Sequence, residues 1–165
     1  MATELKTIDV PNHIFLEEVR QQLKAGRTTT FRVRGWSMRP FLENGRDKVL
    51  LVSPQRRPVR VGEVALVLTT QNRYVLHRVV AVDADGQCTL WGDGNTRGRE
   101  WCTPDNVIGI AEGFYLGRKE RFISVDSRLW RAYSWWWMHT TWARRWQLLF
   151  YRVCFKLVTL FTRHK

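Results

Sequence analysis

Three side chains in this 165-residue sequence have the types needed for acyl transfer: Ser37 in GWSMRP, His77 in VLHRVV and Asp93 in LWGDGN. A serine hydroxyl is a weak nucleophile at neutral pH. It needs a base to take its proton, and the base needs a third group to fix its tautomer and steady its charge. Each residue also has an ordinary reading. Ser37 could be a solvated loop serine, and His77 a satisfied histidine on an apolar strand. Asp93 could be a turn residue that bonds its own backbone, with GDGN a simple β-turn. Together they carry more than each alone, because such a site is defined by geometry and not by chain order.

Their neighbours also have two readings. Trp36, Met38 and Phe41 flank the serine and could line a substrate pocket or simply pack. Pro40 stiffens the turn and blocks sheet pairing beyond it. Arg78 follows His77 directly, so on a regular strand it points to the opposite face. A surface ion pair is its expected role.

The elements that must position these residues are mostly strands. The runs FRVR, KVLLV, EVALVL, YVLHRVVAV, CTLWG and VIGIAEGFYL are rich in β-branched and large apolar residues. ENGRD, TTQNR, DADGQ, GDGN and TPDN separate them as turns. This density of strands predicts a mainly β fold, a small coiled antiparallel β domain over residues 28–117. Before it, residues 1–27 read as an N-terminal helix, with Ile14, Phe15, Val19 and Leu23 at helical spacing and Gly26 at its stop. After it, residues 118–165 read as a basic, Trp-rich helical tail.

The order of blocks resembles the signal peptidase I and LexA-repressor superfamily of serine peptidases. GWSMRP is followed by KVLLV, VGEVALV, LHRVV and LWGDGN, and the likeness covers about residues 30–115. In that family the nucleophile lies in a Ser-Met pair with a proline two residues on. The His77-Arg78 pair is similar to the histidine-base branch, the endoplasmic-reticulum and archaeal signal peptidases. The resemblance implies that Ser37 is the nucleophile, His77 the general base and Asp93 the acid that orients it. It also implies that a peptide or precursor protein binds as an added strand, with the segment 31–36 as one wall of the groove. The sequence departs from the family in places. GDGN stands where that branch has GDNN, and Gly35 stands where bacterial members often carry a hydroxyl that helps bind the oxyanion. The expected oxyanion donors are therefore backbone amides at Gly35 and Ser37. Neither a membrane anchor nor a DNA-binding domain is expected. A non-catalytic relative that only binds a peptide or a membrane surface is the rival expectation.

Charge and aromatic content point elsewhere. The net charge is +12, and six of the nine tryptophans fall between Trp130 and Trp146. Trp142, Trp146, Leu149, Phe150, Val153, Leu157, Leu160 and Phe161 share one helical face. Arg145, Arg152, Lys156 and Arg163 share another. Three readings compete for residues 128–165: docking on an anionic membrane surface, packing on the β domain, and binding nucleic acid, with the membrane placed first. A true span is disfavoured by Arg152 and Lys156 within the apolar run. The chain is thus expected to be cytoplasmic and peripheral on the inner face of the membrane. The N-terminus carries acids and no apolar run, unlike a signal peptide. Three cysteines without paired spacing predict neither a metal site nor a disulfide framework, and no cofactor is expected.

Overall fold

A computed structural model describes residues 12–163, with side chains described over 13–156. The expectations for residues 1–11, and for the side chains of Leu157, Leu160, Phe161 and Arg163, lie outside the described residues. The chain begins with helix α1 (Asn12–Lys24), then strands β1 (Thr29–Arg32), β2 (Lys48–Val52), β3 (Val64–Leu68), β4 (Tyr74–Val82), β5 (Cys88–Trp91), β6 (Glu100–Cys102), β7 (Val107–Leu116) and β8 (Arg121–Ser124). Helices α2 (Arg128–His139) and α3 (Arg144–Arg163) complete it. The strands form one antiparallel sheet in the order β1-β2-β7-β3-β4-β5-β6, with β8 on β7. The mainly β expectation holds at that level.

Strand β7 organises the sheet. Ile110 faces Val52 of β2 and Ala65 of β3, so those strands lie on its two edges. Beyond Gly113 the edge left by β3 is taken over by β8. Register shifts in β2, β3 and β4 bend the sheet, as extra residues on one strand of a pair do.

Both faces of the sheet are covered, which is why β3 reads VALVL without polar alternation. Val64 and Leu66 join one core with Leu16, Val19 and Leu23 of α1, Phe114 of β7 and Trp130 of α2. Ala65 and Val67 join a second core with Val79, Leu90 and the cysteines Cys88 and Cys102. The alternation continues along β4. Leu76 packs on the first core and Val75 on the second.

Two features differ from the sequence reading. The pairing strand β8 lies inside the stretch expected to be helical tail, and that tail is two helices, not one. The break between them is a short 3-10 turn at Thr141–Ala143. Helix α2 starts with Ser127, whose hydroxyl accepts from the Trp130 amide. It buries Trp130 and Trp137. Packing on the β domain, one of the three readings of the tail, is therefore the state of α2.

Candidate active site

Ser37 sits in the turn after β1. Several backbone contacts fix that turn. Val33 donates its amide to the Asp47 carbonyl at 2.9 Å, and Gly45 donates back to Val33 at 2.9 Å. The buried Asp47 carboxylate accepts from the Glu43 amide at 2.7 Å and the Gly117 amide at 2.8 Å. Burial would raise the Asp47 pKa, but these bonds and the Arg46 guanidinium outweigh it, so the carboxyl is held below its ordinary value. Met38 and Leu42 anchor the far side of the turn in the first core.

The GDGN turn closes on this segment from above. The Gly94 amide donates to the Ser37 carbonyl at 2.7 Å. A side chain at Gly94 would place its Cβ 2.5 Å from the Trp36 carbonyl. One at Gly92 would lie 2.5 Å from the Ser37 carbonyl and 3.0 Å from His77 Nε2. Glycine is required at both positions by this close approach.

Ser37 and His77 line the same cavity of about 130 Å³, together with Val33, Gly35, Met38 and Tyr74. On one edge Tyr74–His77 pairs with β3, while β5 pairs only from Arg78 onward. Among the described residues the other edge of Tyr74–His77 carries no strand and faces the Ser37 turn.

His77 is 4% exposed. Its Nδ1 lies 2.5 Å from Glu100 Oε2. Burial pushes its pKa below the ordinary 6.5, against the upward pull of Glu100. The imidazole is thus neutral at neutral pH and oriented by a carboxylate, with Nε2 turned toward the Ser37 turn. Glu100 Oε1 is steadied by Arg73 Nη2 at 3.3 Å.

Asp93, expected to orient His77, is bonded to Arg78 instead, and Glu100 is the acid on His77 Nδ1. Both Asp93 oxygens accept from Arg78, from Nε at 2.8 Å and from Nη2 at 2.6 Å, and both side chains are fully buried. The reason is strand alternation. His77 and Arg78 face opposite sides of β4, and Asp93 lies on the Arg78 side. Arg78 is consequently a buried structural cation and not a surface one. It also donates to the Gly62 carbonyl at 2.7 Å and to Ser134 Oγ at 2.8 Å, and the Tyr133 hydroxyl reaches Asp93 at 3.3 Å. Helix α2 covers this pair.

The other expected site residues are placed as follows. The Gly35 amide donates to Asn44 Oδ1 at 2.9 Å, so it is not free to hold an oxyanion. The Ser37 amide donates to no described group. Phe41 packs against Phe114, Trp130 and Tyr133 with centroids 4.6–5.0 Å apart, and it lines neither hollow beside Ser37. Met38 both packs in the core and lines the Ser37–His77 cavity. Trp36 is exposed, with the Arg39 guanidinium 3.7 Å from its ring centroid.

Glu100 escaped sequence reading because TRGREWC has no strand signature. The only cue was an acid two residues before a cysteine, a spacing that puts both on one face of a strand. Among the described residues no group of three His, Cys, Asp or Glu side chains is placed to hold a metal ion. No model of a known protein family matches this chain, and no curated protein matches it either.

Proposed function

We propose that the chain is a serine endopeptidase that cleaves a peptide or protein precursor, with a β domain of the signal-peptidase and LexA-repressor type. The observation that carries this reading is the shared cavity of Ser37 and a His77 whose Nδ1 is held by Glu100. In the reaction His77 Nε2 takes the Ser37 hydroxyl proton as Oγ adds to the scissile carbonyl. The Ser37 amide donates to the developing oxyanion. His77 then passes the proton to the leaving amine, the C–N bond breaks, and water hydrolyses the acyl-enzyme by the same route. The unpaired edge at Tyr74–His77 supports binding of the substrate as an added strand. A fluorophosphonate probe tests the reading. Adduct formation at Ser37, lost in Ser37→Ala and His77→Ala, is the expected result. A wild-type chain that neither labels nor cuts a diverse peptide mixture would leave a peptide-binding module instead.

For α3 the reading is attachment to an anionic lipid surface on the cytoplasmic side. Its support is the exposure of Trp146 and Phe150 on α3, at 74% and 72%, and of Trp142 in the turn before it, at 82%. Arg145 lies next to Trp146 at the start of the helix. Among the described residues no helix is long and apolar enough to cross a membrane. Because α2 is built into the core, deleting the tail would disrupt the fold, so point changes are the fair test. Trp146→Ala with Phe150→Ala should lower sedimentation with phosphatidylglycerol vesicles by about tenfold or more. Unchanged sedimentation would remove this part of the reading.

A further inference from the structure

The Ser37 turn has a second open flank. On the side away from the His77 cavity, a groove of about 390 Å³ runs between Trp36, the Gly94–Asn95 turn and the α3 residues Leu148, Tyr151 and Arg152. It continues past Thr96 and Leu149 to Arg145, and Leu148 and Arg152 line both stretches. We infer, on the basis of the peptidase reading, that this groove holds the substrate segment on the far side of the scissile bond and selects a carboxylate side chain there, with Arg152 as the recognising cation.

The argument is one of position and charge. Ser37 lines both hollows, so a chain crossing its hydroxyl must enter the groove. The small cavity has room for a short side chain only, which leaves the longer residues for this flank. No acidic residue lines either stretch of the groove. Beside Ser37, two of its other polar side chains are already engaged, and Arg145 lines only the far stretch. Arg39 pairs with Glu43 and stacks on Trp36, and the Tyr151 hydroxyl donates to Glu43 Oε2 at 3.0 Å. Arg152 has no hydrogen-bond or ion-pair partner among the described residues. An unpaired cation lining an acid-free groove is complementary to a carboxylate. Leu148 and Trp36 beside it fit a large apolar residue next to that acid. Selectivity would therefore reside on α3, an element outside the β domain that carries the chemistry.

The test reads binding, not cleavage, on Ser37→Ala. Two fluorescein-labelled peptides share an alanine-rich half and differ in the other, Leu-Glu-Glu against Leu-Gln-Gln. The glutamate peptide should bind about fivefold tighter, as befits a partly exposed ion pair, and the gap should close in Arg152→Gln. Arg152 is exposed, so this variant should keep the parent thermal transition. Equal binding of the two peptides, no binding of either, or a gap that survives Arg152→Gln would overturn the inference. Equal peptide binding with reduced sedimentation of Arg152→Gln on phosphatidylglycerol vesicles would give Arg152 to the lipid surface, and the inference would again fall. If the gap behaves as expected but the wild-type chain cuts neither peptide, the carboxylate site stands and the peptidase reading is what fails.

Discussion

His77 Nδ1 and Glu100 Oε2 stand 2.5 Å apart although their strands, β4 and β6, are not sheet neighbours. Strand β5 lies between them, and its Leu90 pairs with Glu100. The contact crosses the strand order because β5 ends at Trp91, where the chain turns away through GDGN. The carboxylate then reaches the imidazole past the end of β5.

Glu100→Gln should preserve the fold and slow probe labelling of Ser37 by roughly 10²–10⁴-fold, as losing the orienting carboxylate of a Ser-His-acid site does. Stopped-time labelling followed by mass spectrometry gives the rate. A rate within a factor of about two of wild type would exclude an orienting role, given what such groups contribute.

Asp93→Asn should act on stability. It leaves the Arg78 guanidinium fully buried and without its carboxylate, at a cost of about 3–5 kcal/mol. Urea denaturation would show a lower midpoint. If Asp93→Asn instead left stability intact and abolished labelling, Asp93 and not Glu100 would be the third catalytic group.

The pH dependence follows from the lowered His77 pKa. Between the ordinary 6.5 and the lower folded value, the unfolded chain binds more proton than the native one. Stability should then decline as pH falls through that window and level off below the folded value. His77→Gln should flatten this slope. Labelling of Ser37, which needs the neutral base, should persist at pH values just below 6.5. A half-maximum above 6.5 would contradict the assignment.

Gly94→Ala should distort the Ser37 turn, since its Cβ would meet the Trp36 carbonyl at 2.5 Å and backbone cannot swing aside as a side chain can. A loss of about 1–3 kcal/mol is expected, together with slower labelling. Unaltered melting and labelling would show that the clasp between the two turns is loose.

Arg144 lies between the rings of Trp91 and Trp137, 3.6 and 5.3 Å from their centroids, and its buried guanidinium nitrogens have no hydrogen-bond partner. Burial pushes its pKa down to about 10. Replacing such a cation by an apolar side chain of similar volume is often neutral or stabilising. Arg144→Met should thus melt at or above the wild-type temperature. A large drop in melting temperature would mean that the stacked guanidinium holds α3 in place.

The sequence by itself determined most local elements and placed one half of the candidate site. Five of the six β-rich runs became β2 to β5 and β7, and FRVR entered β1 only at Phe31 and Arg32, because β-branched residues flanked by turn residues decide strand formation locally. Alternation along YVLHRVV sent His77 and Arg78 to opposite faces, a property of any strand. Glycines at 92 and 94 read only as turn residues, and their close approach to the Ser37 turn is tertiary. What only the tertiary structure decided are the partners. Glu100 rather than Asp93 meets His77 because the register of β5 on β6 and the end of β5 at Trp91 set which acid reaches Nδ1. The short strands β6 and β8 form because a neighbouring strand offers paired backbone groups, not through their own propensity. Trp130 and Trp137 are buried while Trp146 is exposed, although all three lie in similar basic, aromatic sequence. The break at Thr141–Ala143 turns α2 onto the sheet and leaves one face of α3 outward. Such pairings join residues far apart in the chain, and their energies depend on geometry that no local pattern records.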